Sequence, residues 1–176
     1  SGFKPAAFVA CAGAGYANHA EIVSIPVNLA VKLDKNADLK DASYNTLGAI
    51  AMQGVRQADL RIGESCAVVG LGLLGHLTSL ILKASGVKVI GIDVSKDAIE
   101  FAKKNNCCDF VYARDNNGIT NNIMDKTSGI GVDAVIIAAG TNSNDPINFA
   151  GEICRKKGTV VILGAVPTGF KRRELH

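Results

Sequence analysis

Aromatic residues are scarce in this sequence of 176 residues, which has no tryptophan and an aromatic share of only 5%. Apolar residues nevertheless make up 48%, so the core must be built mainly from Ala, Val, Ile and Leu. Such cores are usual where helices cover both faces of a parallel sheet. The length suits a domain of ordinary size with a sizeable buried core.

Paired-cysteine spacing and long apolar runs are also absent. The five cysteines include no C-x-x-C pair, and Cys107 and Cys108 are adjacent, so neither a disulfide framework nor a zinc knuckle is indicated. Free thiols in a reducing compartment are expected. No run reaches the roughly 18 to 20 apolar residues of a membrane span, and the N-terminus lacks a signal-peptide pattern. The sequence therefore predicts a cytoplasmic protein that does not associate with membranes.

A strong charge of either sign is missing as well. The formal net charge of +3 is small and scattered, so no nucleic-acid partner is expected. The basic cluster near the end of the sequence, at Lys171, Arg172 and Arg173, is interpreted as a solvated segment.

A glycine motif between two apolar runs is the strongest signal in the sequence. Gly70, Gly72 and Gly75 occupy G-x-G-x-x-G positions after the run 66–69, and Asp93 closes the next apolar run, 18 residues past Gly75. This is the dinucleotide-binding arrangement of strand, turn, helix and acid. A Gly-rich turn that serves packing alone is the alternative interpretation.

Each part of the motif has a physical role. Gly70 permits the tight turn, Gly72 lets the backbone approach a pyrophosphate, and Gly75 lets the helix pack close to the strand. Unpaired N–H groups of the first helical turn, which includes Leu73 and Leu74, would face the phosphates.

Asp93 also predicts which dinucleotide is preferred. Its carboxylate can accept both ribose hydroxyls and would repel a 2′-phosphate, and Val94 and Ser95 offer no arginine to neutralise one. Lys96 is the nearest cation in the sequence. We therefore expect NAD(H) to bind more tightly than NADP(H).

The periodicity divides the chain into two parts. Residues 1–37 hold short strand-like runs at 8–11, 20–25 and 29–33, typical of the tail of an all-β domain. Residues 38–176 begin with a helix capped by Asp38 and then alternate strands and helices. Right-handed crossovers predict a doubly wound parallel sheet of order 3-2-1-4-5, with the sixth strand missing beside strand five. The five strands are expected at about 66–70, 87–92, 109–113, 132–140 and 159–163.

Several runs together resemble the medium-chain dehydrogenase/reductase family, which includes zinc-type alcohol, threonine and polyol dehydrogenases. They are Tyr16–Glu21, Pro26–Leu29, Thr46–Ala49, the glycine motif and Asp93. In that family they correspond to the last strands of a GroES-like catalytic domain and most of the cofactor domain. The runs 12–20 and 48–58 are most similar to bacterial two-part oxidoreductases.

The resemblance implies that backbone groups beyond strands four and five hold the nicotinamide half. Gly140 and Gly164 are equally compatible with plain turn glycines. The matching positions are Ala138, Ala139, Gly140, Gly164, Ala165 and Val166.

Catalytic zinc is not expected in this chain. The family takes two zinc ligands from a part that does not match this sequence, and its third ligand aligns with Asn45 or Thr46, which are not zinc ligands. No catalytic residue is assigned. His76 follows the last glycine of the motif, where a packing or capping role is more usual than catalysis, and no role is assigned to His19 or His176.

The sequence thus predicts the NAD(H)-binding domain of an alcohol dehydrogenase-like oxidoreductase acting on a small alcohol or carbonyl of the threonine, polyol or sugar type. A non-catalytic nucleotide-sensing module and a methyltransferase-like fold remain alternatives. This chain alone is expected to bind dinucleotide without turnover, since the resemblance puts one wall of the substrate cleft in the other domain. The full-length protein is expected to form a homo-oligomer, and the edge of strand five favours self-association.

Overall fold

A computed structural model describes residues 2–115 and 117–167, which form two compact units, one ending at Ala49 and one beginning at Ile50. The cluster at Lys171, Arg172 and Arg173, and His176, lie outside the described residues. The elements are β1 (Val9–Cys11), a 3-10 turn (Val27–Leu29), β2 (Ala30–Lys32), α1 (Leu39–Ala42), α2 (Asn45–Ala58), β3 (Ser65–Val69), α3 (Leu73–Ala84), β4 (Lys88–Asp93), α4 (Lys96–Lys104), β5 (Phe110–Ala113), α5 (Ile119–Lys126), β6 (Val132–Ile137), α6 (Asp145–Ile153) and β7 (Cys154–Ile162).

The second unit is built on a five-stranded sheet of order β5-β4-β3-β6-β7. Its four strand pairs are all parallel. Counted from β3, this is the predicted order 3-2-1-4-5, so the doubly wound parallel fold is confirmed. The assignment of 1–37 to a catalytic domain and 38–176 to a cofactor domain stays a prediction.

The first unit contains a small antiparallel pair. β1 pairs with β2 in the register Val9 with Lys32 and Cys11 with Ala30, which agrees with two of the three predicted runs. The strand expected at 20–25 was wrong, because this run has no strand beside it among the described residues and leaves Ile22 91% exposed.

The linking helix is interrupted where one continuous helix was expected. Asp38 caps α1 as predicted, since its carboxylate accepts hydrogen bonds from the backbone N–H groups of Lys40 at 2.7 Å and Asp41 at 3.3 Å. The Ser43 hydroxyl then donates to the Lys40 carbonyl at 2.6 Å. A side chain that satisfies a helical carbonyl in this way competes with the backbone ladder, and the helix resumes only at Asn45.

Side chains alternate between the two faces of the sheet, as the period of a strand requires. Val68, Val89 and Ile136 pack on one face under α2, α3 and α4. Ala67, Ile90 and Ile137 pack on the other face under α5 and α6. Phe101 was expected on the buried side of α4 but is 54% exposed; it lies edge-on against the His76 ring, with centroids 4.8 Å apart.

The last helix and strand differ from the prediction at their junction. α6 was expected to reach about Lys156 but ends at Ile153, and β7 begins at once with Cys154. Lys157 has a left-handed φ of 62°, and the register jumps from Val132 with Cys154 to Ala134 with Thr159. This bulge makes β7 longer than the predicted strand.

All five cysteines, which lie within the described residues, are free thiols. Burial raises the pKa of the Cys66 and Cys108 thiols. They are therefore neutral core residues. None of the described helices is both long and apolar enough to cross a membrane.

Asp133 joins three strands at the amino end of the sheet. Its carboxylate accepts from the Ser65 backbone N–H at 2.7 Å and the Ser65 hydroxyl at 2.9 Å, and from Arg155 Nε at 2.7 Å. Burial alone would raise the pKa of Asp133, but the hydrogen bonds from Ser65 and Arg155 outweigh it and lower the pKa. The bulge at the start of β7 brings Arg155 into this contact.

Asp133→Asn should destabilise the fold by about 1–3 kcal/mol at pH 7, because it removes a charged acceptor from Ser65 and Arg155. The folded carboxylate holds its proton less tightly than the unfolded one, so its contribution is complete above the unfolded pKa of about 4 and is lost as the pH falls through the lower folded pKa. Urea unfolding at pH 7 and pH 3 measures both effects. Asp125→Asn, at an exposed helical position, is the control, and equal stability of the two variants at pH 7 would contradict the assignment.

Candidate functional site

A cleft of about 480 Å³ opens at the carboxyl ends of β3, β4 and β6. The sheet order reverses between β3 and β6, which is the switch point where open α/β sheets bind ligands. The cleft is lined by Val69, Gly70, Gly72, Ile92, Asp93, Val94, Arg114, Ala138, Ala139, Gly140, Thr141, Ser143, Asp145 and Pro146.

The turn after β3 depends on close backbone contacts. Gly70 has a φ of +97°, and a Cβ there would lie 2.6 Å from the Ala139 nitrogen. A Cβ on Gly75 would lie 1.9 Å from the Gly70 carbonyl oxygen. Only glycine allows these approaches, so the first and third glycines of the motif fix the beginning of α3 against the sheet.

Gly72 differs from the other two glycines because its surroundings are open. A Cβ built there meets no atom within 4 Å, and Gly72 also lines the cleft. It is the N-cap of α3 and provides no side-chain cap for the first helical N–H groups. Unpaired N–H groups at a helix start attract anions, so this open turn is suited to a phosphate group.

Asp93 lies at the end of β4 and is held by backbone donors. Its Oδ1 accepts from the Ser95 N–H at 2.7 Å, and its Oδ2 accepts a short hydrogen bond from the Leu71 N–H. A carboxylate has about four acceptor positions. Two positions therefore remain for hydroxyl donors in the cleft.

The structure brings half of the predicted cofactor residues together at the cleft. Gly164 lies behind the wall, where a Cβ would come within 2.1 Å of the Ala139 oxygen, and the Ala165 carbonyl accepts from the Thr141 N–H at 2.9 Å. The predicted residues that line the cleft are Gly70, Gly72, Asp93, Val94, Ala138, Ala139 and Gly140; those that do not are Leu73, Leu74, Gly75, Lys96, Gly164, Ala165 and Val166.

Sequence reasoning missed an ion pair on the cleft wall. Arg114 donates from Nε to Asp145 Oδ2 at 2.9 Å and from Nη2 to Asp145 Oδ1 at 2.7 Å, and its guanidinium lies 4.0 Å from the centre of the Phe149 ring. The cation nearest to Asp93 in the sequence, Lys96, does not line the cleft. Arg114 directly follows β5, and its place at a strand's carboxyl end was the signal that could have found it.

The loop before α6 carries the acidic half of this pair. The Thr141 hydroxyl accepts from the Ser143 N–H, and the Ser143 hydroxyl accepts from the Asp145 N–H, both at 3.1 Å. Such local bonds stabilise turns at helix starts. They fix Asp145 at the first position of α6.

The described residues do not fit a metal ion. No three His, Cys, Asp or Glu side chains within 2–115 and 117–167 group closely enough to hold one. Asn45 and Thr46 stand at the position that the resemblance gives to the third zinc ligand of the family. Asn45 is the first residue of α2, and the Thr46 hydroxyl donates to the Cys11 carbonyl at 3.3 Å. His76 Nδ1 lies 2.8 Å from the Gly72 carbonyl oxygen and its ring packs against Phe101, which agrees with the packing role, one of the two roles expected for it.

Comparison with known proteins gives the family. Residues 74–174 match the family described as zinc-binding dehydrogenase. This chain belongs to that family. The match begins at the second residue of α3 and runs through β4 to β7, so it includes Asp93 and the residues that follow β6.

Two curated relatives and one solved structure are similar to the chain. An NAD-dependent alcohol dehydrogenase of Sulfurisphaera tokodaii is 31% identical over 156 residues, 87% of this chain and 44% of that protein. D-xylulose reductase A of Aspergillus oryzae is 36% identical over 81 residues, 46% of this chain and 23% of that protein. The alcohol dehydrogenase TADH of Thermus sp. ATN1 superposes with a TM-score of 0.76 at 24% identity, covering 86% of this chain and 46% of its own. The chain therefore spans less than half the length of these proteins.

The turn glycines lead to a prediction about stability. Gly75→Ala should lower the free energy of unfolding by about 1–3 kcal/mol, because the new methyl group collides with the Gly70 carbonyl. Gly72→Ala should leave it nearly unchanged, because its methyl group meets open space. Urea unfolding compares both with Gly151→Ala, an exposed helical control. A Gly75→Ala variant as stable as the unmodified chain would show that α3 does not depend on this approach.

Proposed function

We propose that this chain binds NAD(H) and supplies the cofactor site of an oxidoreductase that acts on an alcohol or carbonyl. The observation that carries the proposal is that an open, uncapped helix start at Gly72 and the Asp93 carboxylate line one cleft at the switch point of the sheet. Membership of the dehydrogenase family supports the same function.

The pyrophosphate would bind at the start of α3. Gly72 leaves room for close approach, and the backbone N–H groups of Leu73 and Leu74 lie in the first helical turn, where an anion is favoured. Gly75 does not contact the pyrophosphate in this proposal. It lets α3 pack close to Gly70 and so fixes the position of the helix start.

The adenosine ribose would bind at Asp93. The carboxylate is held in place by the Leu71 and Ser95 N–H groups. It therefore does not need to reorient when the ligand binds. Its remaining acceptor positions suit two neighbouring hydroxyl groups. Val94, 77% exposed beside it, offers an apolar surface to the adenine ring.

The nicotinamide half would lie toward Ala138, Ala139 and Gly140. Gly164 contacts the back of this wall, and Ala165 and Val166 follow it, so these three residues would fix the wall rather than line the cleft. When bound, the cofactor supplies the hydride donor or acceptor, while the protein provides binding and orientation.

The substrate class is proposed from the relatives. Their names describe an alcohol dehydrogenase and a xylulose reductase, which supports a small alcohol, polyol or carbonyl substrate. We also propose that no zinc binds to this chain and that the whole protein is a homo-oligomer. Catalytic residues are not assigned to this chain.

NADH binding tests the proposed pyrophosphate site. Gly72→Ala should weaken NADH binding at least about tenfold, because its methyl group fills the space that a phosphate needs and one tenfold step corresponds to about 1.4 kcal/mol. Isothermal titration calorimetry measures the dissociation constant, with Gly151→Ala as the control. Absence of saturable NADH binding to the unmodified chain would refute the proposed function, and unchanged binding by Gly72→Ala would refute the role of the open turn.

Cofactor preference tests the proposed ribose site. The unmodified chain should bind NADH more tightly than NADPH, because Asp93 repels a 2′-phosphate. Asp93→Ala should narrow this difference by weakening NADH binding and removing the repulsion. Parallel titrations with both cofactors measure it, and equal affinities in the unmodified chain would contradict the assignment.

A further inference from the structure

We propose that the ion pair between Asp145 and Arg114 helps to exclude a 2′-phosphate, because it keeps the arginine on the cleft wall away from the adenosine ribose. The inference rests on the proposed dinucleotide site. It assigns a specificity role to two residues outside the glycine motif.

Arg114 begins next to the proposed ribose site. Its backbone N–H donates to the Asp93 carbonyl at 2.8 Å, and β5 runs beside β4 with Ala113 opposite Asp93. Among the described residues that line the cleft, Arg114 is the only basic side chain. An arginine beside the ribose acid is the group that accommodates a 2′-phosphate in NADP-binding sites of this fold.

The side chain of Arg114 is nevertheless committed to Asp145. Nε and Nη2 donate to the two carboxylate oxygens at 2.9 and 2.7 Å, and the guanidinium stacks 4.0 Å from the Phe149 ring centre. Phe149 is fully buried in the core, so the ring face against which the guanidinium packs is itself fixed. A bidentate pair is directional as well as strong, and it fixes where the guanidinium lies.

Asp145 is itself held in position. Its backbone N–H donates to the Ser143 hydroxyl at 3.1 Å, and its side chain is 50% exposed while that of Arg114 is 25% exposed. Loss of the Asp145 charge would therefore leave a largely buried cation without its partner, at the edge of a cleft that also holds Asp93. The guanidinium would then be free to pair with Asp93 or with a phosphate group at the ribose, and either pairing would offset the repulsion between Asp93 and that phosphate.

Two effects oppose a 2′-phosphate in this arrangement. Asp93 repels it directly, and Asp145 neutralises the cation that would offset the repulsion. Because the second effect acts through the arginine, the contributions of Asp145 and Arg114 to NADPH affinity are coupled rather than additive. A mere change of net charge in the cleft would give additive effects.

The test is a double-mutant cycle with Asp145→Asn, Arg114→Gln and the double variant. The readout is the ratio of NADPH to NADH affinity, measured by calorimetry on the whole chain. Asp145→Asn should raise the ratio about tenfold, the gain expected from one charge-assisted hydrogen bond. Arg114→Gln should change it less than about twofold, because the arginine is already neutralised, and the double variant should return to the ratio of the unmodified chain.

Asp125→Asn is the matched control, since it removes one carboxylate from an exposed position outside the cleft lining. A gain that survives in the double variant, or effects of the two single changes that add, would overturn the proposal. An Asp145→Asn variant that still binds NADH and has the same ratio of NADPH to NADH affinity as the unmodified chain would also overturn the proposal. Failure of every variant and of the unmodified chain to bind either cofactor would instead refute the proposed function, and the specificity role with it.

Discussion

At the carboxyl end of the sheet, three glycines bring segments of backbone into direct contact. Gly75 lies against the Gly70 carbonyl, Gly70 against the Ala139 nitrogen, and Gly164 against the Ala139 oxygen. Together they join α3, β3, β6 and the segment after β7 more closely than any Cβ would allow. The floor and the back wall of the cleft are therefore main chain, which has less freedom to rearrange than a wall of side chains.

This constraint also explains why so much of the fold could be predicted. The glycine turn and the buried parallel strands have local signals, and the handedness of crossovers then gives the strand order. Failures came where a distant partner decides the outcome. The run 20–25 has the composition of a strand but no strand beside it among the described residues. β7 begins early, at Cys154, through a bulge at which Arg155 donates to Asp133, 22 residues away in the sequence.

The candidate site likewise has some residues that a local motif predicts and others that depend on distant partners. Gly72 and Asp93 belong to a spaced motif and were expected at the cleft, where the structure has them. Arg114 and Asp145 are 31 residues apart, and no spacing rule links them. Only the topology, which gathers the ends of parallel strands at one edge, brings such residues together, and an ion pair across a loop and a helix start is visible only once that topology is known.

The Asp133 contact lies at the opposite end of the sheet from the cleft. Ser65, Asp133 and Arg155 belong to three adjacent strands and meet where those strands begin, whereas the cleft lies where they finish. Stability and ligand recognition thus depend on separate sets of residues within the same strands. A substitution in the Ser65–Asp133–Arg155 contact can therefore change how well the fold withstands acid without changing any residue that lines the cleft.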